Sequence, residues 1–204
     1  MSARTADSEW HAARTDVQHC RNCPLWKNAT QAVFGEGPLD APLMFVGEQP
    51  GDKEDIAGKP FVGPAGRVLD RALTEAGITR DKAYITNAVK HFKFVPRGKI
   101  RLHQKPNSSE IAACHTWLER EREIVKPKLI VALGATAAQS IFGKVIPIGK
   151  NRGRIVELVT GTKAMVTIHP SYLLRMDDAD KAREFERFLE DLRLAAPYAR
   201  KRAA

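Results

Sequence analysis

Five groups of residues in this chain have types and spacing suited to chemistry. Glu48 and Gln49 follow an apolar run at Leu43 to Gly47 and open a loop rich in Gly, Pro and acids that extends to Gly66. Asn87 ends a second apolar run, and His169-Pro170-Ser171 follow a third. A carboxylate, an amide and an imidazole in such places could bind a ligand or act on it as catalysts. One polar residue at a strand end is more often a cap or turn former. Three together point to a site, because open parallel sheets bind ligands at the carboxyl ends of their strands.

The segment Lys90 to Lys105 holds six Lys or Arg and no acid, with Phe92 and Phe94 interleaved. That mixture suits phosphate contacts combined with base stacking, through Lys93, Arg97, Lys99, Arg101 and Lys105. Cys20-x-x-Cys23 pairs with Cys114 and lacks a fourth ligand; His91 is the best candidate, since it and Cys114 flank the basic segment. A Cys3His set can hold zinc or an iron-sulfur cluster, and spacing leaves that choice open. Two phosphate-binding motifs are excluded. Gly51 and Gly58 are too far apart for a Walker A loop, with Pro60 where Ser or Thr is required, and Gly47-Glu48-Gln49-Pro50-Gly51 is not a dinucleotide fingerprint.

These residues need a scaffold, and the periodicity supplies one. The pattern predicts a helix through Val17, a strand at Leu43 to Gly47, a helix over Ala65 to Gly77, a strand at Ala83 to Val89 and a long loop to Asn107. A helix from Ser108 to about Lys126, a strand at Leu129 to Leu133 and a helix at Ala135 to Phe142 follow. Strands near Arg154 to Val159 and Ala164 to Ile168 and a helix at Asp178 to Ala195 complete an α/β/α sandwich pattern. At 204 residues and 43% hydrophobic composition, one domain over 1–204 is expected, with a frayed basic tail at 199–204. The net charge of +9 favours a polyanionic partner, although charge alone fits a basic soluble protein equally well. The first residues lack an apolar leader core and no apolar run is long enough to span a bilayer, so a cytoplasmic protein with no membrane partner is expected.

With those pieces assembled, the chain resembles the iron-sulfur uracil-DNA glycosylases and, within that superfamily, the UdgX family. The resemblance is nearly full length. It rests on Cys20-x-x-Cys23, GEQPGDKEDIAGKPFVGPAG at Gly47 to Gly66, TNAVKHFKF at Thr86 to Phe94, Lys99-Ile100-Arg101-Leu102-His103, Cys114 and His169-Pro170-Ser171. It implies a mainly parallel four-stranded sheet and a 4Fe-4S cluster on Cys20, Cys23, His91 and Cys114, with His91 where turnover relatives carry a cysteine. It also implies a monomer that acts on uracil-containing DNA, preferably single-stranded, at the bacterial nucleoid and releases uracil. Phe61 would stack on the flipped base, Asn87 would read its edge, Gln49 would help bind it, and His169 would donate to a uracil carbonyl, with Ser171 in the same motif on the DNA side. His103 would attack the sugar and remain covalently attached, Glu48 would take its proton or orient it, and Asp55 would stand behind Glu48. Ile100 and Leu102 depart from the Lys-Arg-Arg-Ile-His run usual in UdgX. A conventional turnover glycosylase and a non-catalytic single-strand-binding metalloprotein are the competing readings.

Overall fold

The computed structural model describes residues 5–199, so the tail expected at 199–204 falls, from 200 onward, outside the described residues. Helix α1 (Ala6–Asp16) precedes two short 3-10 turns that flank the first cysteines. Strand β1 (Leu43–Gly47) is buried throughout, as a central parallel strand covered on both faces must be. Helices α2 (Asp52–Ala57) and α3 (Pro64–Glu75) and strand β2 (Ala83–Asn87) follow. Pro64 starts α3 at the one position where its missing N–H costs nothing, and Gly77 ends it at φ +75°. Next come β3 (Phe94–Arg97), β4 (Ile100–His103) and α4 (Ser108–Val125). The rest is β5 (Leu129–Leu133), α5 (Ala135–Phe142), α6 (Ile148–Asn151), β6 (Ile155–Glu157), β7 (Lys163–Thr167), α7 (Pro170–Leu173) and α8 (Asp178–Ala195).

The central sheet has the order β2-β1-β5-β7-β6, with the first four strands parallel and β6 antiparallel to β7. The sheet therefore has five strands where the resemblance implied four. The fifth arises locally: Leu158 N donates to Thr162 O, Gly161 takes φ +78°, and the tight turn folds a three-residue edge strand back on β7. Side chains alternate between two cores. Leu43, Phe45, Ile85, Val131 and Met165 pack against α3 and α8, whereas Met44, Val46, Tyr84, Ile130 and Val166 pack against α4 and α5. This is a three-layer sandwich.

Five elements were not foreseen: β3, β4, α2 and the four-residue helices α6 and α7. The basic segment is a hairpin, with β3 and β4 joined by Gly98-Lys99 and Gly98 at φ +60°. The Gly/Pro-rich segment contains α2, whose three first-turn acids favour the positive end of the helix.

Candidate active site

The parallel topology brings β1, β2, β5 and β7 to one rim, and the predicted strand-end residues meet there. Backbone pairing continues past the strands, with Ala88 N donating to Gly47 O and Val89 N to Glu48 O, so Asn87 is held beside Gly47. A Cβ on Gly47 would lie 2.4 Å from Asn87 Oδ1 and 2.6 Å from Phe61 Cζ, so only glycine lets both side chains converge on this point. Phe61 takes φ +54° and is buried, and the same turn needs Gly66, where a Cβ would stand 1.8 Å from Phe61 O. Glu54 braces that turn by accepting from Gly51 N and Gly63 N. The Phe61 and His169 rings lie 5.8 Å apart at 33°. Asn87 is 2% exposed and its Oδ1 has no hydrogen-bond partner, an arrangement that costs free energy until a donor arrives.

His169 is oriented by its own motif. Ser171 N donates to its Nδ1 at 3.2 Å, and Ser171 Oγ lies 2.8 Å from the same nitrogen, which leaves the ring proton on Nε2. Burial pushes the imidazole down to about 4, more than the Glu48 charge restores, so it is a neutral donor at pH 7. Ser171, expected on the DNA side, thus also fixes the His169 tautomer.

Glu48 meets His103 across the site. His103 Nε2 stands 3.2 Å from Glu48 Oε1, with the histidine side chain 51% exposed and the carboxylate 22%. Burial would raise Glu48, but hydrogen bonds from His103 and Thr136 outweigh it and hold the carboxyl below its ordinary range. Thr136 went unforeseen, yet it stands three residues past β5, at the same rim that marked the other strand-end residues.

The hairpin that carries His103 is anchored from below. The Gln49 side chain accepts from Lys93 N at 3.0 Å and donates to Lys93 O and Gln104 O, so it clamps the hairpin roots. Arg101 does not stand free for phosphate: it pairs with Asp52 and Asp55 and lies over the rings of Phe92 and Phe94. Asp55, expected behind Glu48, instead holds Thr30 N and Arg101. Lys93 pairs with Glu110, while Arg97, Lys99 and Lys105 are exposed.

Of the expected metal donors, Cys20, Cys23 and His91 lie in loops and Cys114 lies on α4. Cys23 and Cys114 share a hydrogen bond that pulls the Cys23 thiol down to about 6 and pushes Cys114 up, and both pack with Leu25, Val89 and Ile111. Trp117, one turn beyond Cys114, donates its indole N–H to Cys20 Sγ at 3.1 Å. His91 is buried, its Nδ1 has no partner, and burial pushes the ring down to about 4, which keeps it neutral as a ligand must be. Among the described residues no three such side chains close into a cage for one ion. A buried Cys3His set with an unpartnered imidazole nitrogen has the donor chemistry for an iron-sulfur cluster, as it also has for zinc.

Residues 34–193 match the family model of the uracil DNA glycosylase superfamily. The chain is 42% identical over 187 residues to a type-4 uracil-DNA glycosylase of Thermotoga maritima, covering 91% of this chain and 92% of that protein. It is 39% identical over 167 residues to the type-4 enzyme of Saccharolobus solfataricus, covering 78% of this chain and 74% of that one. A type-5 uracil-DNA glycosylase of Pyrobaculum aerophilum is 30% identical over 178 residues, covering 78% and 74%. The rim of Glu48, Phe61, Asn87 and His169 therefore stands on a shared scaffold, and the chain belongs to the uracil-DNA glycosylase superfamily, close to its type-4 members.

Proposed function

We propose that the protein excises uracil from DNA and then captures the sugar on His103, as UdgX does. The observation that carries base release is Asn87 Oδ1, a buried acceptor without a partner beside Phe61. In this reading the nucleotide is flipped out, and its uracil stacks on Phe61. Asn87 accepts from the base N3–H and donates to O4, while Gln49, whose side chain is engaged with the hairpin, contributes its backbone. Cytosine offers an acceptor at N3 and a donor at the 4-position, so it would leave buried groups unpaired. His169 donates its Nε2 proton to a uracil carbonyl as negative charge gathers there.

His103 Nε2 then bonds to C1′ as the C1′–N1 bond breaks. The bonding pair leaves with uracil; the Nε2 proton has first passed to Glu48 Oε1, its neighbour at 3.2 Å, which frees the in-plane lone pair that forms the new bond. The imidazole shares the molecule with its target, which gives it a large effective concentration over water. No group regenerates the free imidazole, so each molecule reacts once. Arg97, Lys99 and Lys105 hold phosphates of the bound strand. The protein acts as a monomer and prefers single-stranded DNA, because an unpaired uracil costs less to extrude.

Cys20, Cys23, His91 and Cys114 would hold a 4Fe-4S cluster. Through these ligands the N-terminal loop would be tied to both roots of the hairpin, a structural role that needs no electron transfer. The experiment is to count free uracil released from a uracil-containing oligonucleotide, beside a thymine control. Wild type should release one uracil per molecule, and His103→Ser many. Repeated turnover by the wild type would favour the second reading, a conventional glycosylase, which the 42% identity to a type-4 enzyme supports. No release by either folded protein would reject both.

A further inference from the structure

Lys90 and Glu121 form an ion pair at 2.6 Å with neither side chain exposed, on no surface that DNA reaches. All three ammonium protons have acceptors: Glu121 Oε2, Thr86 Oγ1 at 2.8 Å and Asn87 O at 2.7 Å. Glu121 in turn accepts from Gly35 N, Tyr84 and Thr86, and Tyr84 accepts from the Trp10 indole. Such a pair is weak evidence of a stability device, since well-packed apolar side chains often serve as well. What an apolar pair cannot supply is a directed bond to the Asn87 carbonyl.

That carbonyl needs one. β2 is an edge strand, and its outer side is bridged at Ile85 by Glu36 through two backbone hydrogen bonds. Asn87, two residues on, presents its peptide to the same outer side, and Lys90 supplies the bond there. We propose that the buried Lys90–Glu121 pair is a positioning device that fixes the Asn87 peptide and so aims its unpartnered Oδ1 at the base. This rests on the reading of Asn87 as the residue that recognises uracil.

Lys90→Met/Glu121→Gln removes both buried charges yet keeps an acceptor for Gly35 N, so its thermal midpoint should return toward wild type from that of Lys90→Met. Its single-turnover rate of uracil release should nonetheless stay about a hundredfold low, as displacement of a catalytic contact by a fraction of an ångström predicts. In an Asn87→Ala background the same double change should cost almost nothing further, because the residue it positions is gone. Recovery of both stability and rate would overturn the inference. So would an equal fractional loss with and without Asn87. An Asn87→Ala protein that released uracil at the wild-type rate would overturn the base-reading role and the inference together.

Discussion

Arg101→Met should detach the His103 hairpin while leaving the base pocket intact. Arg101 is 22% exposed, whereas its partner Asp55 is completely buried. Breaking a buried pair from one side costs about 3–5 kcal/mol. Thr30 N remains on Asp55 and water can enter from the Arg101 side, so about 2–3 kcal/mol of destabilisation is expected, including the lost contacts with Phe92 and Phe94. The sandwich should survive, since this network lies outside both sheet cores. His103 would then lose its fixed approach, and covalent capture should slow about a hundredfold while uracil release changes much less. Denaturant unfolding and the ratio of crosslinked to abasic product test both parts. A phosphate-binding Arg101 would give another result: unchanged stability, an unchanged product ratio, and a log-log salt dependence of DNA affinity shallower by about one. That outcome would refute the anchoring argument.

Loss of the neutral donor in His169→Ala should reduce uracil release by about 10²–10³-fold, measured in a single turnover. Because burial holds His169 near 4 against an ordinary 6.5, its neutral state's contribution to stability is complete above about pH 6.5 and is lost as pH falls toward 4, amounting to about 3 kcal/mol. Denaturation midpoints between pH 7 and 4 should therefore fall less steeply in His169→Ala than in wild type. Gly66→Ala should cost about 2–3 kcal/mol, because the new Cβ meets Phe61 O, and base release should fail with the displaced ring. Cys114→Ser should lose iron and visible absorbance, while His91→Cys, which retains a donor at that corner, should keep both.

The rim was legible because apolar runs ending in Glu48, Asn87 and His169 must place those ends together once the strands are parallel. The ties that hold the rim were less legible because they cross long sequence distances. Arg101 reads as one more cation in a basic segment, and only the folded chain brings it onto Asp52 and Asp55. Lys90 and Glu121 are 31 residues apart and look like ordinary surface charges. The β3–β4 hairpin was hidden by Pro96, Gly98 and the interspersed cations, which obscure a period of two. Helix α2 is a six-residue helix inside a segment whose composition reads as loop. Gln49 reads as a base-binding residue through its backbone or its side chain, and nothing in the sequence shows that the side chain reaches the hairpin roots.

The most direct test of the account mixes the purified protein with a labelled single-stranded oligonucleotide containing one uracil, heats the mixture in detergent and resolves it on a denaturing gel. Capture on His103 should give a uracil-dependent band of protein plus DNA mass whose attached peptide contains His103, and no such band with thymine. An abasic strand without a shifted band, from wild-type protein that retains its iron, would contradict covalent capture.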